Sequence, residues 1–391
     1  MPDGNEPIEL KLIERITDLD RADWDRCVFG TETPPGSPFV SYAFLSALEL
    51  SGSATGDTGW LPRHLVMQDK AGALLAAAPI YIKNHSQGEY VFDHNWAHAY
   101  ESAGGQYYPK LQCAVPFSPV TGPRLLVPAD APDRDARLRS LAAGLIEITS
   151  QMHLSSLHVS FCTEADADLL AECGFLIRHD HQYHWLNDGY ECFDDFLAEL
   201  SSRKRKNIRK ERRYIADQGI TTHALTGDAI EPAHWDAFYQ FYVDTYDRKW
   251  GYPYLTREFF DRLSASMADK TVLILSYHEG RPIAGAINFY DANALYGRNW
   301  GCVEDRKFLH FETCYYAAID FAIERGLTRV EAGTRGPHKL QRGYVPHRTY
   351  SAHWIENENF RDAVARFLKE ERVLAAREAE ALKKYAPFRQ K

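Results

Sequence analysis

Apolar and polar positions along the chain follow two rhythms, and the same succession of rhythms occurs twice. Residues 37–53, SPFVSYAFLSALELSGS, and 252–268, YPYLTREFFDRLSASMA, each read as an extended aromatic entry, a Ser or Thr cap and an amphipathic helix. Residues 64–83, HLVMQDKAGALLAAAPIYIK, and 272–291, VLILSYHEGRPIAGAINFYD, alternate apolar and polar positions on both sides of a Gly-containing turn at Gly72 or Gly280. That is the pattern of a β-hairpin. Residues 141–161 and 316–333 each carry a helical period that feeds an apolar strand. Three matched blocks in one order predict an internal duplication. Helix, hairpin, helix and strand in each copy predict an α+β fold of two tandem domains, each a mixed sheet with flanking helices.

The boundary is expected near residue 187. The first domain, 1–187, carries inserted loops over 84–139 rich in Pro, Gly and aromatics. The second, 188–391, opens with a helix over 203–218 and closes with the charged amphipathic run FRDAVARFLKEERVLAAREAEALKKYAPF, expected to pack on its own domain. A chain of 391 residues admits two or three domains, and 45% apolar with 13% aromatic residues suffices for substantial cores. No apolar run approaches the ~20 residues of a membrane span. The polar start MPDGNEPIEL does not read as a secretory signal. Seven scattered cysteines without a C-x-x-C pair suggest neither a disulfide framework nor a thiolate zinc site. A reducing, cytoplasmic compartment is the expectation.

Charge changes the picture at one place. The chain carries a net charge of −9, yet eight of the eleven residues from Arg203 to Arg213 are Lys or Arg. Ile208 and Ile215 fall on one face of the predicted helix, and Gly219 is placed to stop it. A docked helix with a cationic outer face is a local device for binding polyanions on a protein that would otherwise repel them. A solvated helix face or a targeting signal is the plainer reading of such a run.

Four stretches carry a resemblance. WAHAYESAGGQYYPKLQCAVPFSPVTGPRLLV (96–127), QYHWLNDGYECFDDFLAELSSRKRKNIRKER (182–212), LYGRNWGCVEDRKFLHFETCYYAAIDFAIERG (295–326) and EAGTRGPHKLQRGYVPHRTYSAHWI (331–355) resemble the FemAB-like group of bacterial proteins named for peptidoglycan biosynthesis or recognition. That group is related to the Fem non-ribosomal peptidyltransferases and the GNAT acyltransferase superfamily. The resemblance implies tandem GNAT-like domains whose sheets splay open between two strands. It also implies transfer of an amino acid from aminoacyl-tRNA to an amine of a cell-wall precursor. Thr334, Arg335 and Pro337 depart from the smaller, polar or acidic residues usual in the group, which hints at a specialised acceptor.

The chemistry needs a neutral amine, a sink for its proton and a donor for the developing oxyanion. Lys339 follows the strand edge where the resemblance places a Lys against the reacting carbonyl, so it is the candidate for oxyanion or phosphate stabilisation, with a structural ion pair as the alternative. Glu331, at a strand end, is the candidate base unless a neighbouring Arg claims it, and His310 is a second candidate for the proton. Alternation places Tyr296, Arg298 and Trp300 on one strand face, where Tyr296 and Arg298 could hold substrate or simply pack across the sheet. His338 and Arg342 are further substrate candidates. In the inserted loops Tyr107, Tyr108, Lys110 and Arg124 are matched by the resemblance to an acceptor site, or else form a packed lid. Arg203, Lys204, Arg205, Lys206, Arg209 and Lys210 are the candidate tRNA contacts.

Coenzyme-A-dependent relatives receive a pyrophosphate on a Gly-rich loop at a helix start. Here CVEDRKFLH has no Gly and contains Glu304 and Asp305, which weighs against acetyl-coenzyme A; Arg306 and Lys307 partly restore positive charge. His179, His181 and His184 invite a metal reading, but alternation puts only His179 and His181 on one strand face and no nearby third ligand is evident. No Walker loop, nucleophile elbow or Rossmann fingerprint occurs. The leading expectation is therefore an aminoacyl-tRNA-dependent, amide-forming acyltransferase with no further cofactor. A coenzyme-A-dependent N-acyltransferase and a non-catalytic module recognising cell wall or RNA are the alternatives.

Overall fold

The computed structural model describes residues 8–30, 37–248, 251–333 and 336–389. The chain forms two compact units, Met1–Asp180 with Thr349–Ala375, and His181–Arg348 with Ala376–Lys391. This division differs from the contiguous one expected at residue 187. The reason lies in strand pairing: Tyr350–Ile355 runs antiparallel to Ser156–Cys162 in the first unit, while His184–Leu186 runs antiparallel to Arg329–Glu331 in the second. Each unit thus takes a strand from the opposite half of the sequence. The helix Glu358–Lys383, expected on the second domain, follows its strand and packs Val364 and Leu368 with Trp96, Tyr107 and Ile355 in the first unit.

The duplication is visible in both units. Ser41 and Thr256 cap matching helices, accepting hydrogen bonds from the Phe44 and Phe259 amides at 3.2 and 3.3 Å. The turns at Gly72 and Gly280 have positive φ, 83° and 74°, which glycine adopts without a Cβ clash. In the second unit Thr271–His278 and Arg281–Tyr290 form a long hairpin. In the first, the returning strand is broken at Pro79, so Leu74–Ala78 and Ile80–Lys83 enter different sheets. From there the order repeats. Ile80–Lys83 is antiparallel to Lys110–Cys113, which is parallel to Ser156–Cys162. Arg281–Tyr290 is antiparallel to Ala294–Cys302, which is parallel to Arg329–Glu331.

Each parallel pair is short. Only Ala294–Tyr296 matches Arg329–Glu331, although the first strand continues to Cys302. Beyond Tyr296 the two strands part, and the gap between them opens the site. The core beneath is aromatic-rich, with Trp185, Phe196, Tyr316, Phe321 and Tyr344 packed around Val330 and Leu340. The basic helix Ser202–Asp217 docks by the expected stripe: Ile208 joins this core, and Ile215 packs with Ile220, Ile283 and Leu309. Burying each Ile stabilises the docked position by about 1.5–3 kcal/mol. Among the described residues no helix is long and apolar enough to cross a membrane.

Candidate functional site in the second unit

A cavity of about 260 Å³ occupies the strand gap, and Glu331, Lys339, His310, His338, Arg298 and Trp300 all line it. Asn288, Cys314 and Tyr315 line it too, without having been anticipated.

A β-bulge shapes the strand wall. Asn288 pairs with Gly297 but Ile287 with Asn299, so Arg298 is the extra residue. The bulge resets the alternation. Gly297 and Trp300 now share a face with Asn288 and Ala286, whereas Tyr296 shares the other face with Glu331. The expected common face of Tyr296, Arg298 and Trp300 therefore does not exist. Tyr296 is buried, donating its hydroxyl to Asp291 Oδ2 at 2.7 Å, and is absent from the cavity wall.

The opposite wall is a helix that changes pitch. It runs as α over Leu309–Phe311, π over Glu312–Tyr316 and α over Ala317–Glu324. Such π turns collect at functional sites because they re-aim side chains. Here His310 packs on Trp300 and Tyr315, with centroids 5.0 and 5.3 Å apart, and Tyr315 Oη lies 2.9 Å from His338 Nε2. Burial, with help from Lys339 and Arg342, lowers the His338 pKa and favours its neutral ring.

Glu331 Oε1 accepts a hydrogen bond from Arg329 Nε at 2.9 Å, while Oε2 has no hydrogen-bond partner among the described residues. Burial raises the Glu331 pKa to about 7 against the pull of Arg329. Of the two alternatives offered by the sequence, the pairing with a neighbouring Arg is present, and Glu331 is also among the residues that line the cavity. Lys339 Nζ donates to the carbonyl oxygens of Ala332 and Gly333, and burial lowers its pKa to about 8. An ammonium has three protons to give, so two hold the loop after Glu331 and one remains for an anionic oxygen. Thr334, Arg335 and the side chain of Pro337 lie outside the described residues.

The other expected substrate residues are placed elsewhere. Arg342 is 6% exposed, bonds Glu211 at 2.9 Å and covers the Phe311 ring. In the first unit Lys110 is fully buried against Glu89, Asp93 and Ser86. Tyr107 donates to Asp93 at 2.8 Å, and Arg124 is fully buried, spending its guanidinium on the carbonyls of Ser160, Gly122, Pro123 and Val120. These three side chains are interior struts, because insertion 84–139 and the strand carbonyl of Ser160 supply the carboxylates and carbonyls that the two cations need once desolvated. Tyr108 is half-buried, with its hydroxyl 2.8 Å from Ser86 Oγ. The histidines His179, His181 and His184 turn to three different rings, Tyr350, Tyr183 and His347.

The basic helix is joined to the cavity helix. Arg212 reaches Glu312 and Asp320 at 3.0 and 2.7 Å, and Glu211 takes Tyr316 and Arg342. Arg209 pairs with Asp194 at 2.7 Å. Among the described residues Arg203, Lys204, Arg205, Lys206 and Lys210 form no ion pair; Arg203, Lys206 and Lys210 are exposed and Lys204 and Arg205 half-buried.

Solved structures share this architecture at low identity. FemX matches with 13% identity and a TM-score of 0.54, covering 89% of this chain and 98% of its own. L-PGS from Bacillus licheniformis matches at 11% and 0.50, covering 83% and 92%. A conserved protein of unknown function from Bacteroides thetaiotaomicron matches at 13% and 0.54, covering 89% and 100%. The fold is thus the expected α+β architecture of tandem mixed-sheet modules, shared with FemX. No curated protein matches the chain. Residues 15–390 match the FemAB-like family of peptidoglycan biosynthesis/recognition, and with a match over nearly its whole length the chain belongs to that family.

Proposed function

We propose that this protein forms an amide by moving an aminoacyl group from tRNA to an amine of a peptidoglycan precursor or a related peptide-like metabolite. The observation that carries the reading is the cavity in the strand gap, lined by both Glu331 and Lys339. In the transfer, Glu331 accepts a proton from the incoming ammonium, and the freed amine attacks the ester carbonyl. The remaining Lys339 proton faces the oxyanion as it forms. His310, packed between Trp300 and Tyr315, is the alternative proton acceptor.

Two further observations favour a polynucleotide over coenzyme A. The amides at the cavity helix start are consumed internally: Leu309 donates to Arg306, and Phe311 and Glu312 donate to Phe308. Glu304 pairs with Arg306, removing one of the cations that could meet a pyrophosphate. The exposed cations of the basic helix offer instead a long, sequence-blind contact for a phosphate backbone.

The test is mass spectrometry of RNA and nucleotides that co-purify with the protein, followed by a transfer assay with charged tRNA and a precursor peptide. Amino-acid transfer to the peptide that falls in Glu331→Gln and Lys339→Ala is the expected result. Saturable binding of acetyl-coenzyme A without RNA would overturn it.

A further inference from the structure

Glu331 and His184 stand opposite each other in an antiparallel strand pair, so their side chains leave the sheet on the same face. His184 Nε2 lies 3.7 Å from Glu331 Oε2. Among the described residues neither that oxygen nor either ring nitrogen of His184 has a hydrogen-bond partner, although His184 is only 2% exposed. Buried polar atoms left in that state are uncommon and call for a cause. The His184 ring stacks on His347 with centroids 4.4 Å apart, and His347 is exposed. The three side chains run from the cavity wall to the surface.

The chemistry supplies a task for them. A substrate amine arrives at neutral pH as an ammonium. It sheds one proton to become a nucleophile, and after attack a second N–H proton goes to the departing ester oxygen. The first proton is surplus. It must reach water while donor and acceptor fill the cavity.

We propose that His184 is a positioning residue that relays this surplus proton from Glu331 towards His347 and solvent. The assignment rests on Glu331 being the base of the proposed transfer. The O–H bond of the Glu331 carboxylic acid breaks as an N–H bond forms at His184 Nε2. His184 then releases its Nδ1 proton from the ring edge, alongside the His347 ring stacked on its face, leaving a neutral ring and a Glu331 carboxylate. An imidazole suits the position because its tautomers exchange donor for acceptor at one nitrogen. The groups facing the pair are Arg329, Asp291, Tyr296, Lys339 and His347. Burial and the cations among them keep the resting ring neutral.

The experiment is an imidazole ¹⁵N and carboxyl ¹³C NMR titration of the full chain between about pH 5 and 9, the range in which His and a raised carboxyl titrate. Below the Glu331 midpoint Nε2 is expected unprotonated, accepting from the carboxylic acid; above it, Nε2–H faces the carboxylate. The tautomer change and the Glu331 ¹³C shift should share one midpoint, and Glu331→Gln should abolish the change. One tautomer throughout, or a change that survives in Glu331→Gln, overturns the coupling. His347→Asn, on the surface, should slow exchange of the His184 ring proton with water severalfold; unaltered exchange overturns the exit route. A failed transfer assay with the tautomer change intact counts against the transfer reading and still supports the coupling.

Discussion

Arg212 bonds Glu312, the first residue of the π turn, at 3.0 Å, and so ties the basic helix to the wall of the cavity. Glu312 is nearly buried, and burial raises its pKa against the pull of Arg212. Arg212→Ala should leave that carboxylate unpaired. A fully buried pair broken this way costs about 3–5 kcal/mol; roughly 2 is expected here, because a third of the Arg212 side chain remains in water. Urea unfolding measures the loss, and Glu312→Gln in the same chain should recover part of it.

Glu331→Gln should act on both rate and stability. Turnover in the transfer assay should rise with pH through about 7 as the wild-type carboxyl ionises, and fall above about 8 as Lys339 deprotonates. The variant should lose the acidic limb along with most activity. For stability the sign is opposite to that of an ordinary carboxylate. The folded pKa is raised, so the native state holds a proton that the unfolded chain has lost between the usual carboxylate range and about 7. Stability therefore falls as pH rises through that window, by up to about 1.4 kcal/mol per pH unit. Thermal unfolding of Glu331→Gln should lack this slope.

Lys339→Ala should reduce turnover by about 10²–10³-fold, the usual loss for one oxyanion donor. Lys339→Arg tests the donor geometry, since a guanidinium cannot place one proton on the substrate while holding the carbonyls of Ala332 and Gly333 in the same way. Equal rates for wild type and Lys339→Ala in single-turnover assays would remove the residue from the chemistry.

Reversing Arg203, Lys206 and Lys210 to Glu touches exposed side chains without ion pairs among the described residues, so folding should be unaffected. Filter binding against salt should show weaker tRNA affinity. The slope of log K on log salt should become shallower by about one unit per lost phosphate contact. An unchanged slope would mean a solvated helix face.

Lys110→Met separates a strut from a substrate contact. Removing the buried ammonium leaves Glu89, whose pKa burial raises to about 7, and Asp93 without their counter-charge. A loss on the order of 3–5 kcal/mol is expected, read by denaturant unfolding, with tRNA affinity of the folded fraction unmoved.

Several of these positions were legible in the chain itself. The caps at Ser41 and Thr256, the turns at Gly72 and Gly280 and the stripe of Ile208 and Ile215 depend on residues within a few places of one another, so local patterning specifies them. The same holds for the cluster Glu331, His338 and Lys339, which a single strand end and turn bring to the cavity. The resemblance carried by the four quoted stretches named the family that residues 15–390 match.

Only tertiary structure decided the rest. One extra residue at Arg298 put Tyr296 and Trp300 on opposite faces of the strand, and a bulge is a property of two paired strands. Lys110 and Arg124 read as acceptor-site candidates or parts of a packed lid until the fold set Glu89, Asp93 and a ring of carbonyls around them. His184 gained its meaning from Glu331, nearly 150 positions later, and Thr349–Ala375 left its own half of the sequence for the first unit. Alternation, capping and charge runs act over a handful of residues; strand pairing and desolvation join residues that the chain keeps far apart.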